Sequence, residues 1–313
     1  MKKIISVILC MTAVLFSLCS CGKENNQKND GKLNIVATIF PPYDFTREIG
    51  GDKVNVSMLL KPGMESHSYD PTPQDIIKIQ ECDLFIYTGG ESDEWVKDIM
   101  ESNSSKPKKI LAMMDIVDTV QEEIVDGMEK DNDNGDEFEY DEHVWTSPVN
   151  ASLITRKISE TLCELDNQNA DFFKNNTSQY TQKLSALDNE FRKVADNAKR
   201  KTIVFGDRFP FRYLADEYGL KYYAAFPGCS SETEPSASTI SFLINKVKEE
   251  NIPVVFSIEF SSGKVADTIC ESTGAKKLTF HSCHNVTQQE LDNKATYYSI
   301  MHDNANALKE ALN

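Results

Sequence analysis

The chain of 313 residues carries 33 Lys+Arg against 49 Asp+Glu, a formal net charge of −16, with 40% apolar and 26% charged residues. Such a composition is globular and long enough for two cores, and its negative excess repels phosphate backbones and anionic surfaces, which speaks against nucleic acid and for cations as partners. With 8 Cys, 14 Gly and 11 Pro, a disulfide scaffold, a collagen-like chain and compositional disorder are excluded.

Met1-Lys2-Lys3 opens an apolar run from Ile4 to Leu18, shorter than the ~20 residues of a membrane-spanning helix and typical of a secretory signal. The run ends in Leu18-Cys19-Ser20-Cys21, which resembles a bacterial lipobox, followed by a polar stretch to Lys32 suited to a flexible tether. The reading is a signal peptide over 1–20, a lipid on Cys21, and a tether over 21–32. The mature chain then sits outside the cytoplasmic membrane, held to the lipid bilayer of a bacterial cell.

Residues 33–39 are strand-like and are broken by Phe40-Pro41-Pro42 before a helical segment that stops at Gly50-Gly51. The same pattern returns 169 residues later, where Val204 to Pro210 lies on Ile35 to Pro41 and Gly219 on Gly50. Each copy continues with a short strand, a Pro-Gly pair (Pro62-Gly63; Pro227-Gly228), a helix and another strand. Alternation of strand and helix predicts an α/β chain of two similar lobes with mostly parallel sheets. Between the copies, Phe173, Tyr180, Leu184, Leu187, Phe191, Val194 and Ala198 recur at helical spacing. They predict a long backbone helix over 170–200 joining an N-terminal lobe (33–169) to a C-terminal lobe (201–313), a spine in preference to a dimer seam. Ligands in such sheets sit at the carboxyl ends of strands, here the cleft between the lobes.

From Glu122 to Glu142 run eleven carboxylates and one lysine, read as a solvated acidic loop over 122–142. Asp131 to Gly135 fails as a calcium loop, because Lys130 would stand at its first position and Asp141 at its twelfth. Of five histidines, His67, His143 and His281 lie on strand-exit loops or where the acidic loop ends, His284 follows three residues after His281, and His302 lies in a terminal helical segment.

Those placements carry a resemblance. Pro62-Gly63…His67…Pro71-Thr72-Pro73, Glu142-His143-Val144-Trp145…Pro148, Glu234-Pro235-Ser236 and Tyr297-Tyr298-Ser299-Ile300-Met301…Asn304…Leu308 resemble the motifs of the solute-binding lipoproteins of bacterial zinc and manganese ABC importers, over essentially the whole mature length. The resemblance implies a metal site in the interlobe cleft, an ABC permease and its ATPase as partners, a monomer, and no enzymatic role. It also exposes departures. The family's third ligand position aligns with Arg208, which cannot ligate a metal, with Asp207 on offer through a short slip. The fourth aligns with His281. The metal ligands expected are therefore His67, His143 and His281, an imidazole set that favours Zn2+ over Mn2+.

The fourth place is left to water, Cys283, Glu65, Asp207 or Glu259, with Arg208 beside the ion and paired to Glu232, Glu259 or Asp207. If residues 280–283 are extended, His281 and Cys283 share one face and His284 takes a supporting place on the other. Five cysteines remain after Cys10, Cys19 and Cys21, an odd number, with Cys229 and Cys283 able to pair or to donate thiolates. The function expected is an extracytoplasmic, high-affinity zinc receptor for an ABC importer. The alternatives are a receptor for manganese, a metal chelate or an organic anion, and a zinc hydrolase, against which stands the absence of an HExxH-type pair.

Overall fold

A computed structural model describes residues 31–65, 69–102, 106–128, 139–230 and 234–313. Residues 33–313 form one compact unit built on two four-stranded sheets. The first contains β1 (Leu33–Ala37), β2 (Val54–Met58), β3 (Leu84–Tyr87) and β4 (Lys109–Ala112) in the order β2-β1-β3-β4. The second contains β5 (Thr202–Phe209), β6 (Lys221–Pro227), β7 (Val254–Ser257) and β8 (Lys276–Thr279) in the order β6-β5-β7-β8. Every pairing is parallel, so both sheets share one topology. Leu33 and Thr202, which open β1 and β5, stand 169 residues apart, the offset of the sequence repeat.

Alternating side chains give the central strands of each sheet two buried faces. In the first sheet Val36 and Phe85 face a small core with Ile79 and Val96 of the covering helices, while Ile35, Leu84 and Ile86 face the main core. The second sheet repeats this, with Val204 and Val255 against Leu243 and Ile269, and Ile203, Phe205 and Phe256 turned to the same main core. One continuous core therefore runs behind both sheets.

The helices that close this core are α1 (Phe40–Gly50), α4 (Pro148–Leu165), α5 (Ala170–Asp196) and α10 (Tyr297–Leu312). The 27-residue α5 packs on the other three and buries Phe173, Tyr180, Leu184, Leu187 and Phe191, so its apolar stripe serves as a spine. The outer faces are covered by α2 (Pro73–Glu81) and α3 (Trp95–Ser102) on the first sheet, and by α7 (Ala237–Glu249) and α8 (Lys264–Thr273) on the second. Two short helices complete the set, α6 (Arg212–Tyr218), ended by Gly219 in the left-handed region, and α9 (Gln288–Asp292). Local chemistry explains the starts. Ser147 caps α4 ahead of Pro148, and Thr72 and Thr296 form capping boxes at α2 and α10.

The acidic loop leaves and re-enters the fold through an antiparallel contact. Gln121 pairs with Tyr140, Glu122 N–H donates to Glu139 O at 2.9 Å, and Asp141 N–H donates to Val120 O at 3.0 Å. Among the described residues no helix is long and apolar enough to cross a membrane.

Candidate metal centre

His143 is fixed from three sides. Asp141 Oδ1 accepts its backbone N–H at 2.8 Å and lies 3.1 Å from Nδ1, in full burial. With Nδ1 donating to Asp141, the lone pair falls on Nε2, the tautomer a ligand histidine requires. Burial would lower the imidazole pKa, but Asp141, Glu142 and Glu122 outweigh it and raise it above the ordinary histidine value. Gly228 lets the ring in, since a Cβ there would sit 3.2 Å from His143 Cε1 and 3.0 Å from Phe209 O. Trp145, two residues on, is fully buried; its Nε1–H donates to Ser282 O at 2.8 Å, and its carbonyl accepts from Tyr297 Oη at 2.6 Å.

That Trp145–Ser282 bond brings in the loop after β8. Residues 280–285 are not an extended strand, because Cys283 has φ +63°. This corrects the expected common face of His281 and Cys283. The turn sends Cys283 into the core and places the His284 ring 5.3 Å, centroid to centroid, from His143 and 5.0 Å from Trp145. Two imidazoles sharing a tetrahedral zinc at about 2.0–2.1 Å put their ring centres roughly 5 Å apart. Both rings line one small cavity of about 20 Å³, together with Glu65, Arg208, Gly228 and Glu259. It lies past the carboxyl ends of β2, β5, β6 and β7.

His281 does not line that cavity. Its Nδ1 accepts Cys283 N–H at 2.9 Å, leaving the proton on Nε2, which points to Glu290 at 3.7 Å. Asn304 clamps its backbone from both sides, accepting at Oδ1 from His281 N–H at 2.8 Å and donating from Nδ2 to His281 O at 2.7 Å. His281 is thus a post of the loop, and the Asn of the terminal motif has a structural task. His302 lies on α10 beside Glu190, at 2.8 Å. His67 lies outside the described residues, as do Cys21, the signal and most of the tether, and Glu232; Glu65 and Tyr69 are the described residues nearest to His67 in sequence.

The charged candidates separate clearly. Glu259 Oε2 accepts Ser282 N–H at 2.7 Å, Oε1 accepts from Ser282 Oγ, and Ser282 Oγ accepts His284 N–H at 3.2 Å, so Glu259 sets the His284 loop. Asp207 accepts Arg208 N–H at 2.9 Å and Ile258 N–H at 3.3 Å; it ties β5 to the end of β7 and faces a neighbouring cavity. Among the described residues Arg208 pairs with Glu65, which corrects the expected pairing with Asp207 or Glu259, while Glu232 lies outside them. The five described cysteines are free thiols, with no Cys229–Cys283 bridge. Burial, then nearby carboxylates, raises the pKa of Cys229 and Cys283 well above the thiol value, which disfavours thiolate ligands. Among the described residues no group of three His, Cys, Asp or Glu is arranged around a common metal point.

Asn285 gave no signal in the sequence. Its Nδ2 donates to Lys61 O at 2.7 Å and Met64 O at 2.9 Å, while Gly63 N–H donates to Val286 O at 2.9 Å and Phe40 N–H to His284 O at 3.1 Å. These bonds sew the loop after β2 to the loop after β8. Asp141 was equally silent, although an acidic residue two positions before a histidine is the cue.

Two parallel α/β sheets on one helical spine, with imidazoles at the carboxyl ends of the strands, define a two-lobed binding protein. The chain belongs to the family described as zinc-uptake complex component A, periplasmic, whose model matches residues 35–311. It is 33% identical over 311 residues to the zinc-binding lipoprotein AdcA of Streptococcus pneumoniae, covering 99% of this chain and 61% of that one. To the high-affinity zinc uptake system protein ZnuA of Bacillus subtilis it is 32% identical over 318 residues, covering 98% of this chain and 97% of the relative. The Zn(II)-bound ZnuA-like domain of Streptococcus pneumoniae AdcA superposes with TM-score 0.74 at 31% identity, over 90% of this chain and 99% of that domain. The chain thus spans about three fifths of the length of AdcA.

Proposed function

We propose that the chain is an extracytoplasmic receptor that captures zinc in its cleft and delivers it to an ABC permease driven by a cytoplasmic ATPase. The observation that carries this reading is the His143–His284 pair at 5.3 Å on one ion-sized cavity. Neutral nitrogen donors suit zinc better than manganese, which favours carboxylates. Membership of a family described as a zinc-uptake component supports the same conclusion, as do the relatives named as a zinc-binding lipoprotein and a high-affinity zinc uptake system protein.

In this reading His67 joins the pair as the third imidazole, on the strength of its Pro-Gly…His motif, and His284 takes the place first expected of His281. Asp141 keeps His143 in the ligating tautomer, and Glu259 positions His284 through Ser282. A signal over 1–20 directs export, a lipid on Cys21 tethers the receptor, a monomer, at the membrane, and the ion is handed on without covalent chemistry. The test is calorimetric titration of metal-stripped residues 21–313 with zinc and with manganese. One zinc at micromolar or tighter affinity, with manganese weaker, supports the reading; no binding of either overturns it.

A further inference from the structure

We propose that the zinc is taken with a small α-amino carboxylate chelator, whose carboxylate is gripped by Arg208. This rests on the zinc-receptor reading and names the form of its cargo. A guanidinium lines the same cavity as the two imidazoles; Glu65 offsets its charge on one side, and a ligand carboxylate would pair with the donors that Glu65 leaves open. The side chain has two described hydrogen bonds, from Nη2 to Glu65 Oε2 at 2.8 Å and from Nη1 to Ser230 O at 3.3 Å. Among the described residues, that leaves three of its five N–H donors for a ligand.

Room exists for such a ligand. A second cavity of about 600 Å³ opens against the same guanidinium and shares Glu65 and Phe260 with the first. It is far too large for an ion and falls in the range of small-molecule sites. Phe260 stands between the two cavities at φ +59° and is 41% exposed. An aromatic residue is held in the left-handed region only at an energetic cost, and an apolar ring kept at a pocket mouth offers a face to a carbon skeleton.

Charge selects the chelator. Among the described residues, Glu65, Asp207 and Glu234 line the larger cavity against Arg208 and Lys264, one negative charge in excess. A polyanion such as citrate is repelled there, whereas an amino acid with one carboxylate forms a cationic zinc complex that is attracted.

The experiment uses metal-stripped residues 21–313 and radiolabelled L-histidine, with zinc alone, zinc plus histidine, histidine alone, and zinc plus citrate as arms. The expected result is one histidine retained per protein after gel filtration only when zinc is present, with no citrate retained. Arg208→Gln should weaken that retention at least tenfold, and Phe260→Ala should weaken it severalfold. Zinc bound in every arm that contains it, with no histidine retained, overturns the chelate proposal and leaves the receptor reading standing. Citrate retained as well as histidine overturns the charge argument and with it the proposal. No zinc bound in any arm overturns the receptor reading and the proposal together.

Discussion

Glu65 and Arg208 meet across the cleft, Oε2 to Nη2 at 2.8 Å, the carboxylate from the loop after β2 and the guanidinium from β5. Glu65 is about two-fifths exposed and Arg208 largely buried, so the pair is a partly desolvated link between the two sheets at the rim of the cavity that His143 and His284 share. Removing Glu65 strands a buried cation beside the ion's place. Glu65→Ala should therefore weaken zinc binding at least tenfold, whereas Arg208→His, which exchanges the cation for a ligand, should tighten it. Titration of both variants with free zinc checks this, and unchanged affinity in both would place the pair outside the site.

The two histidines of the β8 loop should part company. His284→Ala should cost at least tenfold in zinc affinity, about 1.4 kcal/mol. His281→Ala should leave zinc within threefold but lower the melting temperature, because its Nδ1 holds the Cys283 N–H of a left-handed turn. Calorimetry and thermal melts of the two variants separate these roles.

Acidification should release the ion. Asp141 and its neighbours outweigh burial and raise the pKa of His143, so the metal-free site binds a proton at higher pH than an ordinary histidine, and zinc must displace it. Below that pKa, affinity should fall about tenfold per pH unit for each proton displaced. Asp141→Asn should shift the fall to lower pH.

The acidic loop should prove separable from tight binding. Gly127 packs against Phe242, and Met128 is buried, so the deletion that spares the fold is 129–138. That deletion should leave one tight zinc per chain and slow capture only at low ionic strength, where the loop's charge is unscreened. Loss of the tight site would assign it a ligand.

Asp93 offers a stability test. Burial, reinforced by the Glu142 charge, pushes its carboxyl from 3.8 to about 6 against the hydrogen bonds from Thr88 and Gly89 N–H. The fold then binds an extra proton between roughly pH 4 and 6. Stability falls as pH rises through that window and stays reduced above it, by up to about 3 kcal/mol. Asp93→Asn should melt higher than the parent at pH 7.5 and no higher at pH 4, as measured by thermal denaturation.

The repeated strand, Phe-Pro break and closing glycine at an offset of 169 residues made the two parallel sheets legible, and the stripe from Phe173 to Phe191 made the spine legible. His143 was legible because an acidic residue, a histidine and a tryptophan two positions on form a local pattern. The rest depended on backbone conformation that side-chain identity does not announce. Alternation along 280–284 assumed an extended chain, and the left-handed turn at Cys283 reversed it, so that His284 and not His281 lines the cavity with His143. The partner of Arg208 was missed for a different reason: Glu65 lies 143 residues away and reaches it through a fold-level contact. Asn285 and Asp141 act through hydrogen bonds that leave no trace in composition or period.

X-ray absorption at the zinc edge of the metal-loaded protein tests the central claim most directly, because it counts the ligands by element and distance. The expected spectrum has a first shell of nitrogen and oxygen at about 2.0–2.1 Å, with outer-shell imidazole scattering from at least two histidines that diminishes in His284→Ala and persists in His281→Ala. A sulfur shell at about 2.3 Å, or imidazole scattering lost in His281→Ala and kept in His284→Ala, would contradict it.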